Sequence, residues 1–237
     1  MHRSLCICAL LPRLETRTRV VLLLHQLEID KPTNTGVVAA RCLPNSAIVY
    51  RGRAPEATVR GASVEEQAER LAAAIPAGTR AAFLFPHPSA TPLSAWREGP
   101  PVTLIVPDGT WRQAARARSR LGRALALPCV TLTRASDADT GAARSDAASA
   151  ETSGRLRAIS RPGRLATLEA LAFALGVLEG RQVEAALMNV FRVMTDRTLW
   201  TNGRLPRGAV TGGVPDEARS HDPLGVAPRD RRTRAAP

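Results

Sequence analysis

The sequence predicts an α/β domain whose mostly parallel sheet is flanked by helices. Three observations carry that expectation. Short, near-continuous apolar runs recur along the chain, the pattern of strands buried on both faces of a sheet. Capped segments of helical period stand between them. The two kinds of segment alternate from about residue 19 to residue 197, as crossover connections between parallel strands require.

The first run, 20–24 (VVLLL), leads straight into a polar loop holding His25, Glu28 and Thr33-Asn34-Thr35-Gly36. Hydroxyls, an amide and a glycine turn beside a helix start suit a small polar ligand held through backbone N–H groups. A histidine in this position also serves as an ordinary hydrogen-bonded structural residue. A second strand is expected at 47–50. Ser63-Val-Glu-Glu66 is a capping box that opens a helix through Ala74, stopped by Pro76 and Gly78. Strands at 81–85 and 102–106 follow. Asp108 then lies just past a strand end, where open α/β sheets bind their ligands, although a turn residue satisfies the same position. Thr110-Trp-Arg-Gln113 is a second capping box, opening a helix to about residue 126, with a strand after it at 129–132. Further on, Thr167 is the expected N-cap of a helix running to Gly180, and Glu169 suits its first turn; a last helix is expected at 183–197.

The helix after Asp108 has a distinctive charge pattern. At 100° per residue, Arg112, Arg116, Arg120 and Arg123 fall within an arc of about 80°. Ala114, Ala117, Leu121 and Leu125 fall opposite and face a core. Solvated helix faces usually mix both signs, yet residues 111–127 contain no acid. An arginine stripe beginning beside a candidate site makes a phosphate-binding surface, and RNA contact is the favoured reading. The whole chain carries a formal charge of +12 over 237 residues, which also points to a polyanionic partner or to a solvated basic surface.

Other features set bounds. No run approaches the roughly 18–20 apolar residues of a membrane span. Pro12, Arg13 and Glu15 interrupt the apolar N-terminal patch, so it does not read as a signal peptide, and a cytoplasmic protein is expected. Cys6 and Cys8 supply two thiols where a structural zinc site needs four ligands, so no metal is expected. Residues 134–153 are small, polar and aperiodic, the composition of a flexible insertion within a domain spanning 1–202. Residues 203–237 carry seven Arg with several Pro and Gly, and a disordered basic tail is expected there.

Taken in series, these segments resemble the DTW-domain family, named for an Asp-x-Thr-Trp signature that here is Asp108-Gly109-Thr110-Trp111. The resemblance also rests on His25 and Glu28 before Thr33-Asn34-Thr35-Gly36, on Leu43-Pro44-Asn45-Ser46, and on Phe85-Pro86. It continues through Leu156, Arg157 and Pro162 to Leu165, Thr167, Glu169 and Ala170. Many family members carry an N-terminal C-x-x-C before C-x-C, whereas only Cys6-Ile-Cys8 stands here. The resemblance implies a fold related to the SPOUT-like methyltransferases. It also implies transfer of the 3-amino-3-carboxypropyl group from S-adenosylmethionine, as co-substrate, to N3 of a tRNA uridine. The partner expected is tRNA, with no membrane and no obligate protein partner. On this basis Asp108 is the expected general base or orienter, supported by Thr110, with His25 on the substrate side. Thr33, Asn34, Thr35, Gly36, Thr167 and Glu169 are the expected cofactor residues. Trp111 stacks on a ring or anchors its helix, and Arg112, Arg116, Arg120 and Arg123 meet the RNA. Methyl transfer to RNA, non-catalytic RNA binding, and the same transfer chemistry directed at rRNA are the alternative readings.

Overall fold

The computed structural model describes residues 3–29, 31, 34–52, 62–132 and 165–221. Among them, six strands form one sheet with every pairing parallel, in the order β2-β1-β5-β3-β6-β4. The strands are β1 (Arg19–His25), β2 (Ser46–Arg51), β3 (Arg80–Leu84), β4 (Thr91–Pro92), β5 (Val102–Asp108) and β6 (Cys129–Thr131). Five of them were expected from their apolar runs. The sixth, β4, has two exposed residues including a proline, and so carries no apolar signal.

Among the described residues, five α-helices connect and cover the sheet: α1 (Thr35–Cys42), α2 (Val64–Ala73), α3 (Trp111–Ala124), α4 (Thr167–Glu179) and α5 (Arg181–Thr201). Strand alternation divides the core between the two faces. Val20, Leu22 and Leu24 of β1 pack with α1, α4 and α5, while Val21 and Leu23 pack with α2 and α3. This is why β1 is apolar at every position from Val20 to Leu24.

The chain leaves β1 through α1 on one face to reach β2. It leaves β5 through α3 on the opposite face to reach β6, on the other side of the sheet. The neighbouring strands β1 and β5 therefore flank a topological switch point, and a crevice opens beyond their carboxyl ends. Their register sets Leu24 beside Asp108, so His25 and Asp108 both stand at this edge.

One stretch differs from the sequence expectation. Residues 203–221, assigned to a disordered tail, pack against the body: Leu205, Val210 and Ala218 are buried with Leu5, Leu199 and Trp200. Sparse apolar residues at irregular spacing gave no periodic signal, yet each meets a large partner. The expected insertion at 134–153 and residues 222–237 lie outside the described residues. No helix among the described residues is long and apolar enough to cross a membrane.

Candidate functional site

Asp108 ends β5 and is only 7% exposed. Each carboxylate oxygen takes a hydrogen bond from a different element. Asn34 Nδ2 donates to Oδ2 at 2.6 Å, and the Thr167 hydroxyl donates to Oδ1 at 2.5 Å. Burial raises the Asp108 pKa above the usual carboxylate range; the bonds from Thr167 and Asn34 pull it back, and the nearby Glu28 charge raises it further. A buried carboxylate of raised basicity, held in place but with lone pairs to spare, has the properties of a general base.

Local sequence explains how these partners converge. Asn34 is the N-cap of α1, its Oδ1 accepting the Val37 N–H at 2.8 Å, which leaves Nδ2 for Asp108. Thr35 and Gly36 form the first turn of that helix, and Gly36 is the point of closest approach. A Cβ there would lie 2.9 Å from Leu22 Cδ1 and 3.0 Å from Asp108 Oδ2, so only glycine lets helix and carboxylate meet. Thr33 lies outside the described residues.

The start of α4 corrects the expected cap. The N-cap is Ala166, and Thr167 is already helical, so its hydroxyl is available to Asp108. Glu169 supplies the capping interaction instead, its buried Oε2 accepting the Ala166 N–H at 2.8 Å. Sequence alone favoured threonine as a cap on propensity; the tertiary partner Asp108 overrides it.

On the other side of Asp108, Gly109 adopts φ +144°, a conformation that L side chains rarely take. A Cβ there would also meet Gln113 Oε1 at 2.8 Å. Thr110 closes the capping box: its hydroxyl accepts the Gln113 N–H, and Gln113 Oε1 accepts the Thr110 N–H at 2.7 Å. The role of Thr110 here is thus to start α3 immediately after the carboxylate. Gln113 Nε2 lies 3.2 Å from His25 Nδ1, which ties α3 to the end of β1. Burial, followed by the Arg51 charge, holds the His25 pKa below its ordinary value.

Three of the four large hydrophobic residues that are exposed among the described residues stand on the segments around Asp108. They are Leu27 (64%), Trp111 (48%) and Leu165 (44%). The Trp111 ring sits 5.0 Å from that of Phe85, tilted by 31°, so one part anchors the helix while the rest stays exposed. Arg112, Arg116, Arg120 and Arg123 are all exposed along α3, as their spacing predicts, while Ala114, Ala117 and Leu121 are buried.

Sequence reasoning missed Arg51 and Gln113. Arg51 ends β2 and donates to the Gln113 carbonyl at 2.7 Å. Its pKa is lowered by burial and then by Arg120 and Arg116, which marks a concentration of positive charge beside the crevice. The rule that singled out Asp108, a polar residue just past an apolar strand, applies equally to Arg51. Gln113 was visible only as a capping residue, because its second bond is to a residue 88 positions away.

Cys6 and Cys8 lie away from this site, exposed, with their sulfurs 2.9 Å apart. No cluster of three or more metal-binding side chains occurs among the described residues.

The family model described as "DTW domain" matches residues 1–199. No curated protein and no solved structure matches the chain.

Proposed function

The chain belongs to the DTW-domain family, which is associated with tRNA-modifying transferases, and we propose that it attaches a 3-amino-3-carboxypropyl group to N3 of a tRNA uridine. One observation carries this reading. The aspartate of the Asp108-Gly109-Thr110-Trp111 signature is a buried carboxylate of raised pKa, fixed by Asn34 and Thr167 at the topological switch point of the sheet. The kinship with SPOUT-like methyltransferases implied by the resemblance belongs to the same proposal.

S-adenosylmethionine would supply a carbon activated by its sulfonium. The residues around Asp108 fit such a molecule in kind: an exposed apolar rim of Leu27, Trp111 and Leu165 suits an adenine, and the Glu28 carboxylate, paired with Lys31 Nζ at 2.6 Å, is the acidic group nearby. Asp108 takes the proton from uridine N3, and the pair left on N3 would form the new N–C bond as the bond from that carbon to the sulfonium breaks, its pair leaving on sulfur as a neutral thioether. Asn34 and Thr167 keep the carboxylate oriented toward that proton. The Arg112–Arg116–Arg120–Arg123 face of α3, extended by Arg51, holds phosphates so that a splayed-out base reaches Asp108.

The test is incubation of the purified protein with unmodified tRNA and S-adenosylmethionine, followed by mass spectrometry of the digested nucleosides. A uridine heavier by one aminocarboxypropyl group is expected. A methylated nucleoside would instead assign methyl transfer, and binding without modification would assign a non-catalytic role.

A further inference from the structure

His25 sits in a hydrogen-bond arrangement that fixes its protonation. Gln113 Oε1 accepts a hydrogen bond from the Thr110 backbone N–H, which can only donate. That settles the orientation of the amide and presents the Nε2 hydrogens to His25 Nδ1, 3.2 Å away. The backbone N–H of Leu27 reaches the same Nδ1 at 3.2 Å. Both partners bring hydrogens, so Nδ1 accepts twice and carries no proton. In the neutral ring the proton therefore resides on Nε2.

The charged neighbours act in both directions. Arg51 and Lys31 disfavour the imidazolium and Glu28 favours it, with burial the largest effect, and the outcome is a lowered pKa. Neutral histidine is therefore the form present at neutral pH, and its one N–H is on Nε2.

We propose that Gln113 is a positioning residue that locks His25 as a neutral Nε2–H donor, and that His25 gives this hydrogen bond to a uracil oxygen during the transfer. The proposal rests on the Asp108-centred reading above and divides the labour within it. When the N3–H proton passes to Asp108, negative charge spreads from N3 onto the adjoining carbonyl oxygens. A preorganised donor at one of those oxygens stabilises that charge more than it stabilises the neutral base, which lowers the barrier. A neutral imidazole does this without competing for the proton, so Asp108 remains the acceptor. His25 is then a hydrogen-bond donor rather than a base.

Gln113→Glu separates this role from helix capping. A glutamate keeps an oxygen for the Thr110 N–H and suits the first turn of a helix, so α3 still starts at its normal place. It removes the Nε2 donor and sets a carboxylate against an unprotonated Nδ1. Nitrogen-resolved NMR of the His25 imidazole, on the full chain without tRNA, should show Nε2–H alone in the parent at neutral pH. In the variant it should show protonation at Nδ1 and a raised His25 pKa. In turnover assays kcat should fall on the order of 10²-fold with tRNA affinity unchanged. A parent ring protonated on Nδ1, or a variant with unchanged tautomer and unchanged kcat, would overturn the proposal. The NMR reading needs no turnover. A parent that binds tRNA but transfers nothing would therefore refute the reaction, and with it the role of His25 in that reaction, while the Gln113 lock would still be judged on its own signal.

Discussion

Burial raises the pKa of Asp108 despite two donors on its carboxylate, and this has a consequence for stability. A raised folded-state pKa means that the fold favours the protonated form. The stabilising contribution is present below the unfolded carboxylate's pKa and is lost as pH rises through the folded value. Once ionised, the group is a buried charge kept for function. Asp108→Asn should therefore melt no lower than the parent at neutral pH, with any advantage closing as the pH is lowered; thermal melts across pH check this. Gly36 is the opposite case, a residue with no polar chemistry on which the site depends. Gly36→Ala forces a methyl against Leu22 and Asp108, which should cost about 1–3 kcal/mol. Turnover should fall as well, on the order of 10²-fold, because Asp108 is displaced from its productive position. Denaturation and rate measurements on the same preparation report both. Asp108 was legible in the sequence because an apolar strand, a proline and a capping box frame it. Its partner Thr167 was legible as a residue of interest but not in its role, since a bond across 59 positions leaves no local trace.

Helix α3 shows which element-level features a sequence exposes. Its capping box, its apolar face and its arginine face follow from a fixed angular period, and all three are present in the structure. The substitution of both Arg116 and Arg120 by Gln leaves helix propensity and the buried face intact. It should weaken tRNA binding and flatten the dependence of log Kd on log salt by roughly one unit for each phosphate no longer neutralised. An unchanged slope in a salt titration would reduce the stripe to a solvated face. The start of α4 shows the limit of the same reasoning. Cap preference placed Thr167 one position outside the helix, whereas the chain begins the helix there and assigns the capping bond to Glu169. Short β4 was illegible for a different reason: a two-residue pairing draws its register from β6, not from its own composition.

At the scale of the whole molecule, the segment after α5 closes the fold against its beginning. Arg197 is buried and donates to the carbonyls of Leu5, Cys6 and Gly213, while Asp196 accepts from the Thr211 N–H and hydroxyl. Ending the chain at residue 202 removes Leu205, Val210 and Ala218 from their cluster and takes away partners of both buried charges. At about 1.5–3 kcal/mol for each buried aliphatic side chain, the loss should lower Tm by roughly 10 °C. A truncated chain with the parent Tm would contradict that account. Composition hid this closure, because a stretch rich in Pro, Gly and Arg needs only a few well-placed apolar residues to dock onto a surface already built. The catalytic claim is tested most directly by the single-turnover rate of Asp108→Asn with saturating S-adenosylmethionine and unmodified tRNA, on protein of verified stability and tRNA affinity. A fall on the order of 10²–10⁴-fold, with binding unchanged, is the result expected of a general base. Transfer at the parent rate would contradict it and remove Asp108 from the chemistry.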